Sequence, residues 1–256
     1  MKLQKILCLG LALPTLSLPS AAWAMHPLIT DDAGTQGQGR YQLEVNGQYD
    51  HDDDGSVETR GGQIATILTY GLVKTVDLVA IAPYLWNKET DGGLTKSDES
   101  GLGDTTLDVK WRFLEREGLA LAIKPGLNLP TGDEDRGLGA GKTGYHVYAI
   151  ASKEADPWAI HANLGYIRNE NDANDRENLW HASLAATYNL IKELKLVGNL
   201  GVDRNPDKTS EDNPAFLLGG LVYTLSDRME LDCGYKHALT SAGPDWSLLA
   251  GTTFHF

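Results

Sequence analysis

The sequence predicts an all-β fold, a transmembrane antiparallel up-and-down β-barrel of about twelve strands. Three observations predict it. Apolar and polar residues alternate through successive short segments, short and long connections alternate between those segments, and the chain ends on an apolar strand face closed by Phe256. Together they indicate strands with one face in lipid and a polar opposite face.

Residues 1–24 are predicted to be a cleaved secretory signal. Lys2 and Lys5 precede an apolar stretch broken by Pro14, and Ala22 and Ala24 are small residues at the positions that a signal peptidase reads. No later stretch approaches the roughly 20 apolar residues that a membrane helix needs. We therefore expect a signal peptide over residues 1–24 and one barrel domain over residues 25–256, exported to the cell outer membrane.

Composition narrows the class of function. Without Lys2 and Lys5 the 22 basic residues become 20, against 35 acidic ones, so the formal charge moves from −13 to −15. Such an acidic chain binds nucleic acid poorly, and we expect no nucleic-acid partner. Only Cys233 remains after the signal, which excludes an intrachain disulfide. Nothing in the sequence points to a cofactor.

Each predicted strand has one apolar and one polar face. In the clearest case Trp158, Ile160 and Leu164 alternate with His161 and Asn163. The strand lengths suit a membrane strand of roughly 9 to 11 residues. The predicted strands lie near residues 40–50, 60–70, 76–88, 104–114, 119–130, 144–153, 158–168, 178–190, 194–204, 214–225, 229–240 and 245–256.

The connections fall into two classes. Short turns are predicted near residues 71–75, 115–118, 154–157, 191–193 and 226–228. Longer loops rich in Gly, Asp and Asn are predicted near residues 50–60, 89–103, 131–144, 168–177 and 205–213. The alternation places all short turns at one end of the sheet, as in outer-membrane barrels with short periplasmic turns and both termini in the periplasm.

The C-terminal strand carries its apolar face to the last residue. Trp246, Leu248, Phe254 and Phe256 share this face. We interpret Phe254 and Phe256 as the signal that the barrel-assembly machinery recognises. A secreted soluble sandwich or lipocalin-like barrel is the alternative. The polar second faces, the unequal loops and the aromatic residues near strand ends argue against it.

The inward face predicts a lumen of mixed charge. By strand parity the pore-lining candidates are Glu44, Asp108, Lys110, Arg112, Lys124, His161, His181, Lys195, Asp203, Asp232 and Lys236. About twelve strands imply a narrow or partly blocked lumen, in which opposite charges pair in place of water. This favours a weakly selective or gated path for a small-molecule solute.

The stretch GLGAGKTG, residues 137–144, invites a phosphate-loop interpretation. A phosphate loop needs Gly five residues before Gly141, where the sequence has Arg136, and a helix after it, where alternation predicts a strand. We interpret it as a glycine-rich external loop.

The stretch DHDDDGSVE resembles a calcium loop, with Asp50, Asp52, Asp54 and Gly55 at matching positions. The twelfth position should be Glu and is Gly61. We expect a solvated acidic loop tip and no metal site. Lipid and lipopolysaccharide, with its bridging cations, are the partners expected around the barrel.

A catalytic interpretation rests on His161, His181 and Ser183, because His181 and Ser183 share the inward face. A hydrolase also needs an oxyanion turn and an acid beside the base, and the sequence makes neither evident. We predict polar pore lining and no catalytic residues.

Two segments carry a more specific likeness. HPLITDDAGTQGQGRYQLE, residues 26–44, and LPTGDEDRGLGAG, residues 129–141, resemble a family of outer-membrane transporters associated with the MetA pathway of phenol degradation. The resemblance spans the mature chain and implies a β-barrel transporter without catalytic residues. Pro27 and the acids Asp31 and Asp32 suit an N-terminal segment that lies either across the periplasmic mouth or inside the lumen.

We therefore predict a channel that passively admits small organic or aromatic compounds. The alternative is a structural or interaction barrel with an occluded lumen, and the third hypothesis is a hydrolase embedded in the barrel.

Overall fold

The computed structural model describes residues 26–256, so the predicted signal peptide lies outside the described residues. The elements are strands apart from one short 3-10 helix, Glu134–Arg136. The strands are β1 (Tyr41–Asp54), β2 (Val57–Val73), β3 (Val76–Asp91), β4 (Leu94–Leu102), β5 (Thr105–Arg116), β6 (Leu119–Leu129), β7 (Gly144–Ala155), β8 (Trp158–Arg168), β9 (Asn178–Ile191), β10 (Leu194–Asp203), β11 (Ala215–Ser226), β12 (Met229–Ala238) and β13 (Trp246–His255).

The sheet closes on itself, because β1 pairs antiparallel with both β2 and β13. At the seam Phe256 N–H donates to the Tyr41 carbonyl at 2.9 Å. The barrel has 12 strand positions. Strands β4 and β5 share one of them, since both pair with β3 at different heights. Closure leaves no unpaired sheet edge in the membrane, and the predicted fold class is confirmed.

The prediction of a long loop is wrong at two places. Residues 50–60 and 89–103 instead form hairpins that turn at Gly55 and at Gly92–Gly93, all with positive φ. Because these hairpins extend beyond the membrane, water reaches both faces of their strands. Apolar alternation therefore disappears while backbone pairing continues. This is why β4, with Lys96, Asp98 and Glu99, was not predicted as a strand.

The barrel is apolar outside and polar inside. Its outward side chains include Leu68, Leu107, Leu164, Leu184 and Leu217, all exposed. Inward positions carry mostly polar and charged residues, with smaller apolar clusters among them. An exposed apolar band around a polar interior is the arrangement of a barrel that spans lipid. Among residues 26–256, no helix has the length and apolar character needed to cross a membrane.

The chain before β1 enters the lumen. Residues 26–36, hereafter the plug, lie inside the barrel, with Pro27, Leu28, Thr30, Asp31 and Ala33 almost or fully inaccessible to solvent. Of the two positions expected for this segment, the structure has the one inside the lumen. The plug fills much of a space that would otherwise lie open between the strands.

Candidate functional site

The predicted pore-lining residues lie on the inward face. Glu44, Asp108 and Lys124 are buried, as are Lys110, His161 and His181. The others are partly accessible as whole residues, although the side chain of Asp232 is nearly inaccessible: Arg112, Lys195, Asp203, Asp232 and Lys236. All eleven are at least partly buried, whereas the apolar residues that alternate with them are mostly exposed. Their role in solute passage stays a prediction.

The plug is anchored by a carboxylate between two lysines. Lys110 Nζ donates to one oxygen of Asp31 at 2.8 Å, and Lys124 Nζ donates to the other at 2.7 Å. The Asp31 side chain is inaccessible to solvent. Such charge-assisted hydrogen bonds are about twice as strong as neutral ones. Removing one partner would leave a buried charge unpaired.

Asn163 fixes the plug backbone at the same residue. With its amide oxygen facing Asp31, it accepts from Asp31 N–H at 2.7 Å and donates to the Asp31 carbonyl at 2.8 Å. Both backbone groups of a buried residue are thereby satisfied by one wall side chain.

Asn199 of β10 has a similar role, two strands away from Asn163 of β8. Its Oδ1 accepts from the N–H groups of Ile29 at 2.7 Å and Thr30 at 3.0 Å, and its Nδ2 donates to Thr30 Oγ1 at 2.7 Å. The Thr30 hydroxyl in turn donates to Ser183 Oγ at 2.7 Å. The plug therefore docks through side chains of the wall in place of a sheet ladder.

The first plug residues dock against the last strands. His26 pairs with Asp232, and both side chains are nearly inaccessible. Pro27 lies so close to Gly234 that a Cβ at this glycine would come within 2.8 Å of the proline ring. A side chain at residue 234 would therefore collide with the plug.

Apolar contacts add to the polar ones. Leu28 and Ile29 pack in a cluster with Val197, Phe216 and Leu218 of the wall. Burying such a side chain contributes about 1.5–3 kcal/mol. On the other side Ala33 joins a cluster of Ala122, Tyr148, Ile150, Ile167 and Leu179. Docking thus combines apolar burial with paired charges.

Two cavities lie near opposite ends of the strands. The periplasmic one has a volume of about 310 Å³ and is lined by plug residues, among them Asp31 and Gln36, together with Lys110 and Lys124. The external one, of about 410 Å³, is lined by Asp50, Leu85, Leu138 and others, and by no plug residue. The two cavities share no lining residue. Plug residues line the periplasmic cavity and not the external one.

Other carboxylates of the lumen also have side-chain hydrogen-bond partners. Asp108 lies 2.9 Å from His146 Nε2, and Glu44 accepts from the side-chain amides of Gln42 at 2.7 Å and Asn46 at 3.1 Å. Opposite charges pair in place of water at Asp31 with Lys110 and Lys124, whereas Glu44 is held by neutral amides.

The expectation that no acid lies beside His181 is wrong. Asp203 Oδ1 is 2.6 Å from His181 Nδ1, and Ser183 Oγ is 2.8 Å from Nε2. The strand pairing brings Asp203 opposite His181, a relation that alternation within one strand does not reveal. The sequence of acid, imidazole and hydroxyl resembles that of a hydrolase.

The surroundings do not suit hydrolysis. Ser183 is buried and accepts a hydrogen bond from Thr30 of the plug, so a substrate carbonyl cannot reach it in this state. Ser183 also lies within a β-strand paired on both sides, where backbone N–H groups serve the ladder and do not form an oxyanion hole.

The two loop motifs have structural roles. In the stretch after Arg136, Gly141 bridges to Asn171 and strand β7 follows at Gly144. Lys142 pairs with Asp172 at 2.7 Å, and this hydrogen bond raises the pKa of Lys142. In the acidic stretch Asp50 faces inward and accepts from Ser247 Oγ, so it is part of a hairpin and not of a calcium loop.

The residues that sequence reasoning missed are mainly neutral or lie in the plug. Asn163, Ser152 and Asn199 each bind the plug, Ser152 by accepting from Ala33 N–H at 2.8 Å. The sequence feature that could have identified them is a polar residue at an inward position. This feature discriminates poorly, because the inward positions of any membrane barrel are polar.

The sequence matches one family model over residues 26–256, described as "Putative MetA-pathway of phenol degradation". The chain belongs to this family. No curated protein matches it.

Several solved structures share the fold. An outer-membrane channel from Pseudomonas putida F1 is 19% identical with a TM-score of 0.67, over 88% of this chain and 98% of the other. The KdgM porin is 8% identical with a TM-score of 0.59, over 84% and 99%. The translocator domain of the autotransporter NalP from Neisseria meningitidis is 12% identical with a TM-score of 0.51, over 86% and 89%. At these identities the likeness concerns the fold.

Proposed function

We propose that this family member is a gated passive route for small organic compounds across the outer membrane, and that the plug is its gate. The observation that carries the proposal is the plug buried inside the lumen, docked by non-covalent contacts that can open and re-form. The family description connects the chain with phenol degradation, which supports small aromatic compounds as the solute class.

The same proposal assigns the molecules that surround the barrel. The exposed apolar band contacts outer-membrane lipid, and the external hairpins and loops lie at the level of lipopolysaccharide. Phe254 and Phe256 serve as the signal for the barrel-assembly machinery. The protein has no enzymatic role in this proposal, since the Ser183 hydroxyl belongs to the docking site of the plug.

The test is solute uptake by liposomes that contain the mature protein. Phenol and benzyl alcohol are compared with glucose and with small ions, for the intact chain and for a variant lacking residues 26–33. We expect selective uptake of the aromatic compounds by the intact chain and faster, less selective uptake by the deletion variant. Heat-modifiable migration on gels reports that each barrel is folded.

The occlusion favours one second candidate, a structural or interaction barrel that passes no solute. Folded protein without uptake of any of these compounds, in both forms, would support that candidate. Ester hydrolysis above the level of a Ser183→Ala variant would support the enzyme hypothesis instead.

A further inference from the structure

We infer that Lys110 and Lys124 form a binding site for the carboxylate of a small apolar acid, and that Asp31 of the plug occupies this site in the closed state. The inference rests on the proposed function, because it requires that the plug can withdraw. It adds monocarboxylates with an apolar body to the solute class.

The wall alone holds two like charges at facing positions. In the β5–β6 register Lys110 faces Lys124, between the pairs Asp108–Gly126 and Trp111–Ile123. Like charges directly opposite each other destabilise a sheet. An anion between them removes this repulsion, so the two lysines favour a negatively charged occupant.

The geometry fits one carboxylate. Each Nζ contacts a different oxygen of Asp31, at 2.8 and 2.7 Å. A free carboxylate has the same two oxygens with the same spacing, so it can take the place of Asp31 without a change in the wall.

The nearby acids do not fill the site. Asp108 Oδ2 is 3.8 Å from Lys124 Nζ, while its other oxygen contacts His146. Asp32 lies 3.8 Å from Lys110 and leaves together with the plug. Asp77 accepts from Gln36 N–H of the plug. The remaining wall acids limit the positive charge, which suits a single carboxylate better than a polyanion.

An apolar surface adjoins the lysines. Lys124 Nζ lies 5.9 Å from the centre of the Tyr148 ring, and Tyr148 packs with Ala122 and Ile150. Ala33 of the plug contacts this cluster, two residues after Asp31. The plug therefore presents a carboxylate followed by a small apolar group, the chemistry of a compact organic acid.

The site is also within reach of solute. Both lysines line the periplasmic cavity of about 310 Å³, within the range of pockets that hold small ligands.

The test compares benzoate with benzyl alcohol, which has the same ring and no charge. Binding to detergent-solubilised protein is measured by ligand-observed NMR for the intact chain, for Asp31→Asn, and for Asp31→Asn with Lys110→Met and Lys124→Met. Asp31→Asn should bind benzoate about tenfold more tightly than the intact chain, because the tethered competitor is gone. The added methionines should abolish the gain, and benzyl alcohol should change little.

Asn199→Ala is the second variant if Asp31→Asn does not fold, since it keeps all charges and removes hydrogen bonds that dock the plug. It should also tighten benzoate binding. Benzoate binding that does not depend on the lysines would overturn the inference. Lysine-dependent binding without uptake of any solute would leave the site standing and overturn the proposed function.

Discussion

Thr30 of the plug donates its hydroxyl proton to Ser183 of the wall across 2.7 Å. Ser183 lies 2.8 Å from His181, which lies 2.6 Å from Asp203. On the other side Asn199 donates to Thr30. A continuous row of hydrogen bonds thus joins two wall strands to the plug, and the closeness of Thr30 to Ser183 allows the plug to be fixed in place.

A disulfide between Thr30→Cys and Ser183→Cys should lock the plug. The two side-chain oxygens are 2.7 Å apart, and sulfur atoms on longer bonds need only approach to about 2.05 Å. The exposed Cys233 is first replaced by Ser. We expect uptake of phenol by liposomes to fall severalfold under oxidising conditions and to recover with dithiothreitol.

Each single-cysteine variant is the control, and neither should respond to dithiothreitol. Equal uptake with the disulfide formed and reduced would show that solutes pass without movement of the plug.

Gly234→Ala should displace the plug while sparing the wall. The added Cβ would lie 2.8 Å from Pro27 and 3.5 Å from the Gly219 carbonyl, so the strain falls on the plug. We expect faster solute uptake by a barrel that still shows heat-modifiable migration on gels. Gly219→Ala is the control, because its Cβ meets nothing within 4 Å. Identical uptake by the two variants would contradict the docking of Pro27.

Leu164→Arg and Leu94→Arg should differ in their cost although the two leucines are similarly exposed, at 66% and 69%. Leu164 lies within β8 and faces lipid, whereas Leu94 lies at the tip of a hairpin in water. Leu164→Arg should lower the free energy of unfolding in lipid by about 2–4 kcal/mol, and Leu94→Arg should leave it nearly unchanged. Urea titrations of refolded vesicles measure both. A similar loss for the two would refute the membrane position of the strands.

Phe256→Ala should impair assembly in cells more than stability in vitro. The Phe256 side chain is 71% exposed, whereas its backbone closes the barrel against Tyr41. We expect less heat-modifiable protein in outer-membrane fractions and unchanged refolding into vesicles. Tyr41→Ala, at the same seam, is the control. Normal amounts in the outer membrane would argue against an assembly signal at Phe256.

Strand alternation predicted the barrel because lipid and lumen impose opposite chemistry on successive residues. It assigned Leu164 outward and His161 inward correctly. It failed for β4 and for the hairpin at Gly55, where both faces meet water and no alternation is needed. Backbone pairing there leaves little trace in the sequence.

The lumen was only partly predictable for a related reason. Parity gives the face of a residue but not its partner across the barrel. The contacts of Asp31 with Lys110 and of His181 with Asp203 depend on strand register and on the path of the plug. The sequence suggested that residues 27–32 could enter the lumen, yet only the fold brings them to these partners.

The burial of the plug inside the lumen has a kinetic consequence. A solute can pass only while the plug is withdrawn, so the flux equals that of the open barrel multiplied by the fraction of time that the barrel is open. Uptake should therefore rise in proportion to the external concentration, as it does in a permanently open pore, but with a slope that the closing equilibrium of the plug reduces.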